Sequence, residues 1–462
     1  MEPVSLEEIL AWTGGRRRQG SLKKPIRRFN TDTRRIEPGD FFIPIAGASF
    51  DGHDFIPAAA AAGAAGSLCA FGRRPAEPLP ENFLLVEVPG DTRRALLDLA
   101  RHYRLRFKIP LLALTGSSGK TTTKELLTHL LAGRFRVLAN RGNFNNEIGL
   151  PLSLFQLERK HQAAILELGM NHPGEIALLA RTCRPGFGLI TNIGTAHLGL
   201  MGSRRAIAAA KAELLEALAG GTALLPADDP FYDFLAGFPV RRRVSFGLKP
   251  AAGYRVRRLK PGPDGTAFIL ERPAGPPLEL TVPLFGTFNL RNTAAAAAAA
   301  LELGLPAEAL AGRLAAFQPV AHRFSIQKWR GAFLVDDTYN ANPTSFRAAL
   351  AEFRRLAGPA PAIIAAGSMG ELGRFSRTSH LALGRRLAGL EPELVILLGP
   401  ERETMAEGAR AAGLPTDRIR LAASNPAAAA ILKKNLKPGT WALLKGSRLN
   451  KMEEILAALE KE

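Results

Sequence analysis

The chain reads Leu112-Ala113-Leu114-Thr115-Gly116-Ser117-Ser118-Gly119-Lys120-Thr121-Thr122-Thr123. The apolar run from Ile109 to Leu114 predicts a strand, and the residues from Thr121 to Ala132 predict a helix that Gly133 would end. Glycines in the intervening loop let backbone N–H groups turn towards a phosphate, and the helix N-terminus adds partial positive charge. The order strand, loop, helix therefore predicts a nucleotide-phosphate site, with a purely structural turn as the alternative.

The side chains of this loop point to ATP and Mg²⁺. Lys120 would reach the outer phosphates, and the hydroxyl of Thr121 suits Mg²⁺. The loop has the short form T-G-x-x-G-K-T, because Leu114 stands where the longer pattern has its first glycine. We assign ATP binding to the loop residues Thr115, Gly116, Ser117, Ser118, Gly119, Lys120, Thr121 and Thr122.

The whole chain divides into three α/β blocks, and the phosphate loop lies in the second. Their expected bounds are residues 1–108, 109–318 and 319–462. The first block has predicted strands at 41–45 and 84–88 and a helix at 57–65. In the middle block strands and helices alternate, which is typical of a parallel sheet; its predicted strands and helices after the loop are 163–168, 174–181, 188–193 and 203–218. An antiparallel excursion is expected at 251–283, then a helix at 290–303. The last block has predicted strands at 333–335, 362–366, 394–398 and 440–444.

Composition narrows the function classes. The 462 residues are 46% hydrophobic and 22% charged, with a net charge of +19. No apolar run reaches the roughly 18 residues of a membrane span. Cys69 and Cys183 lie far apart, and no signal peptide is evident, which favours a reducing cytoplasm. Segment 16–35 is strongly basic, but no basic motif with regularly interleaved aromatic residues appears, so the charge does not predict nucleic-acid binding. Solvated arginines, or attraction of small anionic substrates, account for the charge.

Three further residues stand where α/β sheets place their sites. Glu167 ends one predicted strand and His197 follows another, so both are expected at the carboxyl edge of the sheet. Each also has an ordinary interpretation, as a solvated acid and a structural histidine. Lys211 lies on a predicted helix beside Glu213, where spacing alone favours a surface position.

Six segments in order resemble the Mur ligase family over nearly the whole chain. They are the loop 115–123 and the segments 30–34 with 38–42, 50–56, 143–151, 336–343 and 445–448. The resemblance implies a central P-loop parallel-sheet ATPase domain, an N-terminal α/β UDP-binding domain and a C-terminal Rossmann-like α/β domain that closes on ATP and binds the incoming substrate.

The resemblance also implies roles for individual residues. Lys120, Lys211, His197 and Arg323 would be catalytic. Thr121 and Glu167 would bind one Mg²⁺, and His197 a second, with Lys211 once it is carbamylated. Further nucleotide contacts would come from Asn289, Asn292, Arg323, Asp337 and Asn340. Substrate contacts would come from Thr31, Asp32, Thr33, Arg34, Asp51, Gly52, His53, Asn145, Asn146, Lys445 and Arg448. Two positions depart from the family pattern: Phe288 replaces a common His, and His322 replaces the usual Gly before Arg323.

Within the family, the motifs resemble members that add D-alanyl-D-alanine to UDP-N-acetylmuramoyl-tripeptide through an acyl phosphate, forming a peptidoglycan precursor. The Asp-Asn-Pro-Arg box of the ligases that add the third residue is absent, and segment 367–373 stands instead. Such a sister ligase and a folylpolyglutamate synthase remain the alternatives. We expect a cytoplasmic monomer, although the sequence does not fix the oligomeric state, and it leaves open whether the third residue is meso-diaminopimelate or L-lysine.

Overall fold

Three β-sheets, each packed against helices, organise the chain into three α/β domains, as the sequence predicts. The structure is a computed structural model. It describes residues 1–460 apart from Ala48, Ala76, Ala219 and Pro263, and apart from the side chains of residues 258–260. The domain limits expected after residues 108 and 318 remain predictions.

The N-terminal domain has a five-stranded sheet in the order β1-β5-β4-β3-β2, parallel except for β1. Its strands are β1 (Arg16–Gln19), β2 (Phe29–Asn30), β3 (Phe41–Phe42), β4 (Gly66–Ala70) and β5 (Leu84–Val88). Its helices are α1 (Leu6–Thr13), α2 (Ile56–Ala61) and α3 (Thr92–Leu105). The predicted strand at 41–45 is shorter in the structure, because the chain leaves the sheet after Phe42 and enters the loop before Asp51.

The central domain has a nine-stranded sheet in the order β14-β13-β12-β11-β10-β9-β6-β8-β7. Its strands are β6 (Leu111–Thr115), β7 (Val137–Ala139), β8 (Ala163–Glu167), β9 (Phe187–Ile190), β10 (Thr222–Pro226), β11 (Arg242–Gly247), β12 (Tyr254–Gly262), β13 (Gly265–Glu271) and β14 (Leu278–Val282). Its helices are α4 (Lys120–Ala132), α5 (Gly149–Leu154), α6 (Glu175–Cys183), α7 (Leu198–Met201), α8 (Arg204–Glu216), α9 (Tyr232–Ala236), α10 (Thr287–Glu302) and α11 (Ala309–Ala315). Strands β12 to β14 form the expected antiparallel excursion at one edge.

The C-terminal domain has a six-stranded sheet in the order β15-β16-β20-β17-β18-β19, antiparallel only at β15. Its strands are β15 (Ser325–Trp329), β16 (Ala332–Asp337), β17 (Ala362–Gly367), β18 (Leu394–Leu398), β19 (Ile419–Leu421) and β20 (Trp441–Lys445). Its helices are α12 (Pro343–Ala357), α13 (Ser376–Ala388), α14 (Arg402–Ala411), α15 (Asn425–Asn435) and α16 (Glu453–Glu460).

Burial explains why the central strands read as apolar runs. All five residues of β6 and all five of β8 are buried, because helices cover both faces of the parallel part of the sheet. The alanine run 294–300 of α10 is fully buried, and its small side chains let α10 pack closely against α4. This packing fixes the carboxyl ends of β6, β8 and β9, from which the candidate site is built.

Candidate active site at the carboxyl edge of the central sheet

The predicted phosphate loop connects β6 to the first turn of α4. Gly119 has a φ of +76°, and a Cβ on it would lie 2.3 Å from Asn292 Oδ1. A Cβ on Gly116 would lie 1.8 Å from Thr191 Oγ1, so neither position has room for a side chain. Lys120 Nζ donates to Gly116 O at 2.8 Å, which folds the side chain back over the loop. Burial lowers the pKa of Lys120, and the charge of Arg323 lowers it further.

A second loop, which follows β9, is hydrogen-bonded to the phosphate loop. Thr191 Oγ1 donates to Ser118 O at 2.7 Å, and Ser117 N donates to Asn192 O at 3.0 Å. Asn192 Oδ1 also accepts from Ser118 N at 3.2 Å. These bonds hold the loop in one shape, and they exist because the carboxyl ends of β6 and β9 are adjacent in the parallel sheet.

Thr121 and Glu167 lie side by side, as the predicted metal site requires. Thr121 Oγ1 donates to Glu167 Oε2 at 3.0 Å, and Asn145 Nδ2 donates to Oε1 at 2.9 Å. Glu167 is 3% exposed, so its interpretation as a solvated acid is wrong. A hydroxyl beside a carboxylate fits Mg²⁺, which takes one or two protein ligands and completes its shell with water and substrate phosphates. Asn145 therefore lies at this pair, although sequence reasoning assigned it to the substrate.

Asn140, which sequence reasoning missed, fixes the backbone of Glu167. Its side chain accepts from Glu167 N and donates to Glu167 O, both at 2.9 Å. Lys124 Nζ donates to Asn140 O at 2.6 Å beneath the site. A polar residue directly after the apolar stretch 137–139, for which the sequence analysis predicted no strand, was the available signal, since strand ends meet at one edge of a parallel sheet.

Lys211 is buried, contrary to the surface position that its spacing favoured. Its side chain is 1% exposed, and none of the described residues gives it a hydrogen bond or ion pair. Burial lowers the pKa of Lys211 well below the usual lysine value, and the nearby charge of Lys120 lowers it further. Burial in this way favours the neutral, nucleophilic form of the amine.

His197 lies between the central and C-terminal domains. It has a φ of +60° and precedes α7. Its Nδ1 lies 2.8 Å from Glu371 Oε2 of the C-terminal domain. This contact lowers the pKa of Glu371. The backbone adds a second link, since Gly199 N donates to Glu371 O at 2.9 Å. Sequence reasoning gave Glu371 no role, because the contact depends on how two domains dock.

Arg323 reaches the phosphate loop from the start of the C-terminal domain. Its Nη2 donates to Thr121 Oγ1 at 3.2 Å, and its Cζ lies 3.7 Å from the centre of the Tyr339 ring. Burial lowers the pKa of Arg323. His322 has a φ of +63°, the backbone region that glycine favours, and its Nδ1 lies 2.8 Å from Asp336 Oδ2. The departure from the usual Gly is therefore accommodated through this contact.

The two predicted adenine-side asparagines are buried on α10. Asn289 Nδ2 donates to Phe285 O at 2.9 Å, and Asn292 Nδ2 donates to Asn289 Oδ1 at 3.3 Å. Asn292 also packs against Gly119, so the pair lies beside the phosphate loop. Phe288 stacks edge-on with Phe324, which gives this second departure from the family pattern a packing role.

Asp337, Asn340, Lys445 and Arg448 form one cluster, although the sequence divided them between nucleotide and substrate. Lys445 Nζ donates to Asp337 Oδ2 at 2.6 Å and to Asn340 O at 3.1 Å. Lys445 is 1% exposed, so its ammonium is engaged by the protein. Arg448 donates only its backbone N to Asn340 Oδ1, at 3.4 Å. Its guanidinium is half-exposed.

The N-terminal motifs form loops stabilised by their own carboxylates. Asp32 accepts from Arg34 N at 3.1 Å in the short helical turn 33–35, which Thr31 precedes. Asp51 accepts from His53 N at 3.0 Å, and a Cβ on Gly52 would lie 2.4 Å from Ile45 N. In the central domain, Asn146, another predicted substrate contact, accepts from Gly149 N through its Oδ1 at 2.8 Å and so caps a turn. Thr33 lies in the same turn as Arg34.

Two structural features are absent from the residues that the structure describes. Among them, no group of three or more His, Cys, Asp or Glu side chains is arranged to hold a metal ion. None of the described helices has the length and apolar character needed to cross a membrane.

Comparison with known proteins gives matches along the whole chain. Residues 25–104 match the model of the Mur ligase family catalytic domain, residues 114–300 the Mur ligase middle domain, and residues 322–448 the Mur ligase glutamate ligase domain. The UDP-N-acetylmuramoyl-tripeptide–D-alanyl-D-alanine ligase of Synechocystis sp. is 38% identical over 433 residues, covering 92% of this chain and 91% of that protein.

Solved structures agree with this similarity. A crystal structure of MurF from Acinetobacter baumannii superimposes with a TM-score of 0.90 at 32% identity and covers 100% of both chains. The MurF ligase from Thermotoga maritima in complex with ADP has a TM-score of 0.83 at 29% identity, covering 94% of this chain and 97% of that one.

Proposed function

This chain belongs to the Mur ligase family, and we propose that it uses ATP to join D-alanyl-D-alanine to UDP-N-acetylmuramoyl-tripeptide. One observation carries the proposal. The side chains of Glu167, Thr121 and Arg323 form a continuous hydrogen-bonded line from β8 through the phosphate loop to the C-terminal domain. A carboxylate, a hydroxyl and a guanidinium in this order suit a γ-phosphate that is transferred between bound substrates.

The phosphate loop would hold ATP through its backbone N–H groups, with Lys120 on the outer phosphates. Lys120 and Arg323 would neutralise the charge that develops on the transferring phosphoryl group. Both cations are partly buried, which supports this role, because charge interactions are stronger where water is excluded. Asn289 and Asn292 would border the adenine side of the nucleotide. Asp337 would contact the nucleotide only by rearranging its bond to Lys445.

Thr121 and Glu167 would hold Mg²⁺ together with the nucleotide phosphates. Bound there, the ion would supply positive charge that polarises the γ-phosphate. Glu167 is pre-oriented for this task, because Asn145 fixes its carboxylate and Asn140 fixes its backbone. His197 would contribute to a second ion, after its contact with Glu371 opens.

Lys211 would serve the same second ion as a carbamate. Addition of CO₂ to a neutral amine forms a carboxylate-like group and releases one proton, and the buried amine of Lys211 has no competing partner among the described residues. The modification predicts a mass increase of one CO₂ on the peptide that contains Lys211. It also predicts loss of activity in Lys211→Ala that short carboxylic acids partly restore.

The reaction would proceed in two steps. The terminal carboxylate of the tripeptide attacks the γ-phosphate, which gives an acyl phosphate and ADP. The amine of D-alanyl-D-alanine then attacks the acyl carbon and displaces inorganic phosphate. The chain's part is to align these groups and to exclude water, because an acyl phosphate is readily hydrolysed.

The N-terminal domain would bind the UDP portion of the substrate through Thr31 to Arg34 and Asp51 to His53. Its many arginines would attract the anionic substrate. We further propose that the protein works as a monomer in the cytoplasm and binds no nucleic acid. Gel filtration tests the monomeric state, and a gel-shift assay at physiological salt tests the absence of nucleic-acid binding.

Phosphate release by the purified protein tests the function. We expect release only when ATP, UDP-N-acetylmuramoyl-tripeptide and D-alanyl-D-alanine are all present. Tripeptides ending in meso-diaminopimelate and in L-lysine, tested in parallel, identify the natural third residue. Equal release without either acceptor, or a preference for glutamate or a free diamino acid as acceptor, would refute the proposal.

A further inference from the structure

Glu371 brings a carboxylate of the C-terminal domain to the centre of the site. Its Oε2 lies 2.8 Å from His197 Nδ1, and its backbone accepts from Gly199 N at 2.9 Å. The side chain nevertheless remains 48% exposed. None of the roles derived above uses this carboxylate, although it faces the edge of the sheet where Lys120 lies.

The loop that carries Glu371 is held against the loop 447–450. Asn450 Nδ2 donates to Ser368 O at 2.7 Å and to Ser447 O at 3.1 Å, which joins the two loops. His380 Nε2 accepts from Met369 N at 2.8 Å and fixes the first loop from inside the domain. The two loops therefore present one preorganised surface.

This surface carries an acidic, an apolar and a basic side chain. Beside the anionic Glu371, Leu449 is 84% exposed, and a Cβ on Gly370 would lie 3.5 Å from Leu449 Cδ1. Arg448, which directly precedes Leu449, is 58% exposed and uses one nitrogen to pair with Glu453. A guanidinium has five N–H donors, so others remain for a ligand. An exposed leucine near an acid and a base suits a small zwitterion with apolar side chains.

We propose that Glu371, Leu449 and Arg448 form the binding site for the incoming dipeptide, a proposal that rests on the function proposed above. Glu371 binds the ammonium group and holds it at the reaction centre. Leu449 contacts a methyl group, and Arg448 binds the terminal carboxylate. The dipeptide thus replaces His197 as the partner of Glu371, and its charges match those of the site at both ends.

The test compares Michaelis constants for all three substrates in Glu371→Gln, Leu449→Ala and the wild type. We expect Glu371→Gln to raise the KM for D-alanyl-D-alanine at least about tenfold, the effect of losing about 1.4 kcal/mol of binding, with the KM values for ATP and the UDP-tripeptide unchanged. Leu449→Ala should raise the same constant about threefold, consistent with partial burial of one methyl contact. Because Leu449 is largely exposed, its replacement does not endanger folding.

A second readout separates binding from positioning. N-acetyl-D-alanyl-D-alanine lacks the ammonium group, so as an inhibitor it should bind the wild type and Glu371→Gln equally. Glu403→Gln, an exposed acid on α14, is the control and should change nothing. A fall in kcat with an unchanged dipeptide KM would overturn the inference in favour of a role through His197. If the wild type does not use D-alanyl-D-alanine at all, the proposed function itself fails, which the wild-type assay shows first.

Discussion

Arg323 of the C-terminal domain donates to Thr121 of the phosphate loop at 3.2 Å. The two residues belong to different domains, so this bond exists only while the domains are closed. The backbone around Arg323 is unusual, with positive φ at both His322 and Phe324. Such a conformation is maintained by surrounding contacts, and it directs the guanidinium towards the loop.

Arg323→Lys should lower kcat by about 10²–10³-fold, the usual effect of removing one preorganised donor from a charged transition state. Lysine keeps the positive charge but loses the planar group that stacks on Tyr339 and reaches Thr121. Steady-state phosphate release measures the effect. Arg347→Lys, on the exposed side of α12, serves as the control, and similar rates for both variants would contradict a role for Arg323 at the phosphate.

Gly119→Ala should weaken ATP binding at least about tenfold, equivalent to about 1.4 kcal/mol. The new Cβ would meet Asn292 Oδ1 at 2.3 Å and push the loop away from α10. Gly142→Ala is a matched control, because Gly142 also has positive φ but a Cβ there meets nothing within 4 Å. Calorimetric titration with ATP distinguishes the two, and equal affinities would show that the close contact is unimportant.

The sequence predicts the framework of the site because that framework is local. Gly116, Gly119, Lys120 and Thr121 are adjacent in the chain, and the apolar run before them specifies the strand that presents them. Glu167 is likewise recognisable as a strand-end acid, since parallel strands bring their carboxyl ends to one edge. In the structure Lys120 contacts Gly116, and Thr121 contacts Glu167.

Contacts between domains are not predictable in this way. Glu371 reaches His197 only because the C-terminal domain docks on α7, and no local pattern records that docking. The burial of Lys211 is also a tertiary effect, since its helix reads as partly polar in sequence. Asn145 shows the converse: the family motif identified the residue, but its bond to Glu167 depends on how the loop folds over β8.

Asn140→Ala should lower the free energy of unfolding by about 1–3 kcal/mol, because it leaves the buried backbone N–H and C=O of Glu167 without partners. The Mg²⁺ concentration for half-maximal activity should rise as the carboxylate loses its orientation. Urea unfolding and a Mg²⁺ titration measure these effects. Asn435→Ala, which removes one exposed hydrogen bond, should leave both values within error, and the same result for Asn140→Ala would refute the role.

Gly199→Ala should impair domain closure without preventing ATP binding. A Cβ on Gly199 would lie 2.5 Å from Gly373 N and from Leu372 C, both backbone atoms of the C-terminal domain. Since small misplacements of reacting groups can cost about 10²-fold in rate, kcat/KM should fall by about that factor. Gly186→Ala, where a Cβ meets nothing within 4 Å, is the control. Unchanged ligase activity in Gly199→Ala would mean that catalysis does not need this contact.

Lys211→Met should abolish ligase activity and yet stabilise the protein in bicarbonate-free buffer, by about 1–3 kcal/mol, the usual cost of a buried polar group without a partner. The pKa of Lys211 is lowered by burial, so the unfolded chain binds more protons than the folded chain from the folded value up to the usual 10.5. Wild-type stability therefore rises with pH across that window, and the advantage of the variant should shrink as pH approaches 10.5. Urea unfolding between neutral and alkaline pH checks this trend.

Lys124→Met is the control, because Lys124 is equally buried but bonds to Asn140 O at 2.6 Å, and its loss should destabilise. A less stable Lys211→Met would show that the amine has a favourable partner.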